Sequence, residues 1–127
     1  MSAADRWAAF ASEDVAMAEA ARGLGLWNQV CLHAHEAAAK SLKTFLATRR
    51  QPIPQVKHLA ELLTLCAEAN QDLQTFEDRC YILDKYVIPL TYPDAIPATQ
   101  AGSLPTEKDA NEALSIVNDL RGALRID

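Results

Sequence analysis

Apolar and polar positions alternate with helical rather than strand periodicity along the whole chain. The clearest stretch is Trp27 to Leu46, WNQVCLHAHEAAAKSLKTFL, which has no Gly or Pro. Trp27, Cys31, Ala34, Ala38, Leu42 and Phe45 recur three or four residues apart and form one stripe at about 100° per residue. Gln29, His33, Glu36, Lys40 and Lys43 fall on the opposite face, and Glu36 and Lys40 form a favourable i,i+4 pair. This pattern predicts the central helix of a bundle.

The same reading predicts a first helix over 3–22, with Trp7, Phe10, Ala11, Ala18 and Ala21 inward and Asp14 on the same stripe. Gly23 and Gly25 end it, and so short a connection makes the first two helices antiparallel. Pro52 and Pro54 break the chain after the second helix. A third helix is expected over 58–70, with Leu59, Leu62, Leu65, Cys66 and Ala69 inward. A fourth is expected over 72–87, with Leu73, Phe76, Cys80, Leu83 and Val87 inward and Asn70 and Asp72 placed for capping. Pro89 to Pro105 holds four of the six prolines and reads as a long loop. Thr106 opens the fifth helix with Asp109 three residues on, close to a capping box, and Ala110, Ala113, Leu114, Val117, Leu120 and Leu124 line its inner face. The expected class is all-α, an antiparallel up-and-down bundle of four to five helices in one domain spanning 1–127.

Composition narrows the function. Half of the 127 residues are apolar but only 6% are aromatic, which favours close helix packing over a sheet. The net charge of −5 without a basic block disfavours general nucleic-acid binding through a charged surface. Cys31, Cys66 and Cys80 lack any metal-finger spacing and fall on apolar stripes, so they read as buried free thiols in a reducing cytosol. No signal peptide and no run long enough to span a bilayer is visible, and the expected location is cytoplasmic.

Candidate chemistry concentrates on the second helix and just after it. Lys40, Lys43, Arg49, Arg50, Lys57 and His58 cluster towards its C-terminal end. They suit a phosphate, or more simply complement the helix dipole. Tyr92 and Asp94 in the long loop could close over such a site. Asp14 and His35 lie on or beside the apolar stripes of adjacent helices. They are expected as a buried polar pair, fixing register or orienting a ligand. His33, His35 and Glu36 suggest a metal only weakly, because the two histidines point to different faces; no metal and no cofactor is expected.

The order of motifs resembles the HEPN domain family, small prokaryotic helical proteins often encoded beside minimal nucleotidyltransferases. The resemblance rests on an early Trp, Glu13-Asp14-Val15, a Gly turn, the run from Cys31 to Lys43, Lys57-His58-Leu59 after a Pro-containing loop, and Tyr92-Pro93-Asp94. It implies a helical bundle, usually a homodimer, with a nucleotide-related role. In members with an Arg-x4–6-His motif it implies a toxin-type RNase. Where the family commonly carries Gln-Gln-Ala-x-Glu-Lys, this chain has His35 to Lys40, and Thr91 stands where an Arg often precedes Tyr-Pro-Asp. No histidine follows Arg79 at RNase spacing, so no catalytic residue is assigned. The expected role is a non-enzymatic binding subunit for a nucleotidyltransferase, with nucleotide or substrate bound. The alternatives are an RNA-binding or RNA-cleaving component of a toxin–antitoxin pair and a structural dimeric adaptor. A homodimer is expected through the outer side of the fourth helix, where Ile82 and Tyr86 are i,i+4 neighbours beside Tyr81, with Leu32 exposed on the second.

Overall fold

A computed structural model describes residues 1–56, 58–86 and 104–126. Among them the chain forms five α-helices and no strand: α1 (Ala3–Gly23), α2 (Trp27–Thr48), α3 (Leu59–Ala69), α4 (Glu77–Asp84) and α5 (Glu107–Ala123). A 3₁₀ helix over Gln71–Phe76 leads into α4. No helix among the described residues is long and apolar enough to cross a membrane.

α2 is the central element and packs against α1, α3, α4 and α5. Neighbours on several sides explain why its buried arc is wider than one stripe. Val30, Ala37, Ser41, Thr44 and Leu46 are buried along with the predicted Cys31, Ala34, Ala38, Leu42 and Phe45. Ala34, Ala37 and Ala38 are fully buried, and their small side chains let neighbouring backbones approach closely. α1 runs antiparallel to α2, since Trp7 meets Lys43 near one end while Asp14 meets Lys40 and His33 further along. α5 buries all six of its predicted inner residues.

Local chemistry sets the helix ends. Ser2 with Asp5 and Thr106 with Asp109 form capping boxes at α1 and α5. α1, α2 and α5 end alike. The N–H groups of Leu26, Gln51 and Ile126 reach back to the carbonyls of Ala21, Leu46 and Arg121. These Schellman turns require a left-handed residue, and Gly25 (φ 71°), Arg50 (φ 56°) and Arg125 (φ 59°) supply it.

Several expected positions are corrected. Phe10, placed on the inner stripe of α1, is 51% exposed. The buried line there is Ala11, Asp14, Ala18 and Ala21, small enough to sit close against α2. In α3, Ala69 is exposed, while Leu63 and Ala67 join the core. The fourth helix, expected from 72, begins as a 3₁₀ helix. Asn70 accepts from the Asp72 N–H at 3.2 Å and Thr75 donates back to the Asp72 carbonyl at 2.9 Å. Spacing of three then puts Leu73 and Phe76 on one buried ridge.

The apolar patch expected on α4 does not form as described. Tyr86 is 7% exposed and Ile82 packs against the core, leaving Tyr81 exposed. The Tyr86 N–H bonds to the Leu83 carbonyl three residues back, so the last turn tightens and brings Tyr86 round to the side of Leu83. Val87 and most of the expected loop, with Tyr92 and Asp94, lie outside the described residues.

Candidate functional site

His33 and His35 are two residues apart on α2, about 200° around the helix, and serve two different charge clusters. In the first, Asp14 of α1 is bound from two turns of α2. His33 Nδ1 lies 3.0 Å from its Oδ1, and Lys40 Nζ donates to its Oδ2. The Asp14 carboxylate is largely buried, while His33 and Lys40 keep an edge towards solvent.

In the second cluster, Asp84, the last residue of α4, accepts from His35 Nε2 at 3.1 Å. The same carboxylate accepts from the N–H groups of Leu59 at 2.8 Å and Ala60 at 3.3 Å. It therefore satisfies the open N-terminus of α3, where His58 occupies the cap position without a side-chain capping bond. His58 Nδ1 stands 4.0 Å from the other oxygen of Asp84. Glu36 connects the clusters, 3.7 Å from His35 Nδ1 and 3.9 Å from Lys40 Nζ. All three histidines of the chain belong to this one network, which ties α1, α2, α3 and α4 together.

Electrostatics favours the ionised pair at its centre. Burial disfavours a charged imidazolium, but hydrogen bonds and charge from Asp84 and Glu36 outweigh it and hold His35 above the ordinary histidine value. Burial likewise pushes Asp84 up, but His35 and the two α3 N–H groups bring it below the usual carboxylate range. The His35 hydrogen bond lowers Glu36 as well.

The expected Asp14–His35 pair is thus two pairs. Both residues are buried, but Asp14 takes His33 and Lys40, and His35 takes Asp84. His33, placed on the polar outer face, is the histidine that turns to α1. The pattern did not single out Asp84. Its signal was a carboxylate four residues after Cys80 on the buried stripe of α4, the same oddity that marked Asp14 on α1.

The basic cluster is dispersed. Lys40 is held by Asp14, and Lys43 lies over the Trp7 ring with its Nζ 4.9 Å from the centroid. Arg50 forms the left-handed turn after α2. His58 is half exposed beside Asp84, and Lys57 lies outside the described residues. Arg49 stacks its guanidinium 3.7 Å from the Phe45 ring centroid. It lines an open cleft of about 490 Å³ between the C-terminal end of α2, the segment 51–54 and α3. Phe45, Pro52, Pro54 and Leu65 supply its apolar wall and Glu68 a carboxylate.

Other chemistry is limited. Cys31, Cys66 and Cys80 are buried free thiols, and burial pushes each up to about 12, so none is a thiolate nucleophile near neutral pH. Among the described residues no group of three His, Cys, Asp or Glu side chains is arranged to hold a metal ion. Arg79 lies over Phe76 and 3.5 Å from Asp119.

These elements define an all-α bundle knit by buried carboxylate–histidine contacts, and proteins of known structure share its fold. The HEPN domain family profile matches residues 4–126. TT1696 from Thermus thermophilus has a crystal structure that superposes with a TM-score of 0.83, at 30% identity over 98% of each chain. ST0689, described as an archaeal HEPN homologue, shares the fold with a TM-score of 0.76 at 23% identity, over 98% of this chain and 97% of that one. No functionally curated protein matches. The chain belongs to the HEPN domain family.

Proposed function

We propose that this HEPN chain is a binding subunit that works with a minimal nucleotidyltransferase and holds a nucleotide at the C-terminal end of α2. The observation that carries this reading is the cleft beside Arg49. Its volume of about 490 Å³ suits a nucleotide-sized molecule. The Arg49 guanidinium stacks on the Phe45 ring and remains exposed at the mouth of the cleft. A phosphate takes the guanidinium, a base takes the apolar wall of Pro52, Pro54 and Leu65, and Glu68 accepts from an amino group on the base. Catalysis is assigned to the partner, since burial keeps the thiols protonated near neutral pH and no histidine follows Arg79 at RNase spacing.

The test is to mix the purified chain with a minimal nucleotidyltransferase, taken from a neighbouring reading frame that carries such a signature, and follow complex formation by light scattering, with and without nucleoside triphosphate. A complex strengthened by nucleotide, with that strengthening lost in Arg49→Glu, is the expected result. No complex under either condition overturns the reading.

A further inference from the structure

We infer that Asp84 and His35 are positioning residues for the cleft beside Arg49: they latch the far end of the segment that walls it, so that the hold on a nucleotide follows the charge on His35. This deepens the subunit reading and rests on it for the ligand. Residues 51–56 run as a strap from the turn after α2 towards α3 and belong to no helix or strand. Gln51, Pro52 and Pro54 of the strap line the cleft, while Ile53 and Val56 pack against the core. The near end is tied by the Gln51 N–H to the Leu46 carbonyl at 2.9 Å. The two prolines have no N–H to contribute, so the strap depends for its place on its ends and on Ile53 and Val56. Its far end is set by where α3 begins. That point is held by Asp84, which accepts from the Leu59 and Ala60 N–H groups at 2.8 and 3.3 Å. α3 then carries Leu65, Glu68 and Ala69 into the cleft. One carboxylate thereby sets the end of one wall and the start of another.

Asp84 is itself anchored. Its Oδ1 takes His35 Nε2 from α2 at 3.1 Å, with the His35 and Asp84 side chains only 8% and 7% exposed. With His35 protonated this contact is a charge-assisted hydrogen bond, roughly twice as strong as a neutral one. With His35 neutral the buried carboxylate keeps a donor but loses its countercharge, and the latch slackens. The other ionisable groups facing the contact are Glu36 of α2, 3.7 Å from His35 Nδ1, and His58 ahead of α3, 4.0 Å from Asp84 Oδ2. Asp14 of α1 is taken by His33 and Lys40, while Asp109 and Glu112 of α5 and Lys85 after α4 act on Cys31. The latch favours the imidazolium and holds His35 above its ordinary value. It is therefore tightest below that value and slackens as pH rises through the folded pKa.

Two measurements on the full chain test this, with ATP as the probe. Hydrogen exchange without ligand, corrected for the intrinsic effect of pH, follows the amides of Ile53, Val56, Leu59 and Ala60 between about pH 6 and 9. Titration calorimetry gives the ATP dissociation constant over the same range. In the wild type, protection at these amides should fall across the range and ATP binding should weaken about threefold to tenfold. His35→Gln and Asp84→Asn should start with less protection and show a flat course in both measurements. His33→Gln, which alters the other cluster, should keep the wild-type course. The titration of ATP itself is common to all these chains and cancels in the comparison. Circular dichroism confirms that each variant stays helical, and Asp84→Asn carries the comparison if His35→Gln unfolds. ATP binding with the same pH course in wild type and His35→Gln overturns the inference and leaves the subunit reading standing. Protection at Leu59 and Ala60 that is indifferent to pH, or a flat course in His33→Gln, also overturns it. No ATP binding at any pH overturns the inference together with the nucleotide reading on which it rests.

Discussion

Asp84 holds His35 Nε2 at 3.1 Å and, with the same carboxylate, the first N–H groups of α3. One side chain at the end of α4 thereby fixes the central helix and caps a third. Replacing it by alanine leaves a buried imidazole without its charge partner and α3 without its cap. The expected loss is about 3 kcal/mol of unfolding free energy, measured by urea denaturation. Asp14→Ala should cost less, about 1 kcal/mol, because its partners Lys40 and His33 can turn to water. Equal losses for the two variants would contradict the distinction between the clusters.

Stability should depend on pH with two limbs. His35 is held above its ordinary value of 6.5, so its contribution is fully present below that value and lost as pH rises through its folded pKa. Asp84 is held below its ordinary value of 3.8, so its contribution is present above that value and lost as pH falls through its folded pKa. The expected maximum lies between the two ordinary values. His35→Gln should flatten the upper limb and leave most of the acid limb, a difference that thermal melts from about pH 2 to 9 would resolve. An unchanged upper limb in that variant would assign the titration elsewhere.

Much of this was legible from residue pattern and some was not, for identifiable reasons. α2 and α5 were readable because their stripes contain large apolar residues at unbroken spacing. α1 was ambiguous in rotation. Its alanines carry little hydrophobic signal, so Phe10 drew the inner face towards itself, whereas close packing favours Ala11, Ala18 and Ala21. A buried charge at Asp14 was readable, but its partner was not, since choosing between His33 and His35 requires knowing how α2 is turned against α1. Tyr86 was misplaced because a tightened final turn cannot be seen in helical spacing. Asp84 was missed because its cap reaches α3 across 25 positions of sequence.

The end of α2 offers a test of backbone strain. Arg50 holds φ at 56° in a Schellman turn where glycine has no Cβ penalty. Arg50→Gly should raise stability by up to about 1 kcal/mol, and Gly25→Ala should lower it by about 1 kcal/mol. The second loss is conformational rather than steric, because a Cβ on Gly25 would meet only the Trp27 ring at 3.8 Å. Paired denaturation curves would show the opposite signs. A destabilised Arg50→Gly would mean that the arginine side chain contributes more there than its backbone costs.

The claim that nucleotide is held beside Arg49 is tested most directly by hydrogen exchange. The chain would be compared in mixture with the proposed nucleotidyltransferase partner, with and without nucleoside triphosphate. Added protection is expected at 45–54 and in the part of α3 near Leu65 and Glu68, and it should vanish in Arg49→Glu. Nucleotide-dependent protection confined to α1 and the Lys40–Lys43 edge of α2, or none at all, would contradict the account.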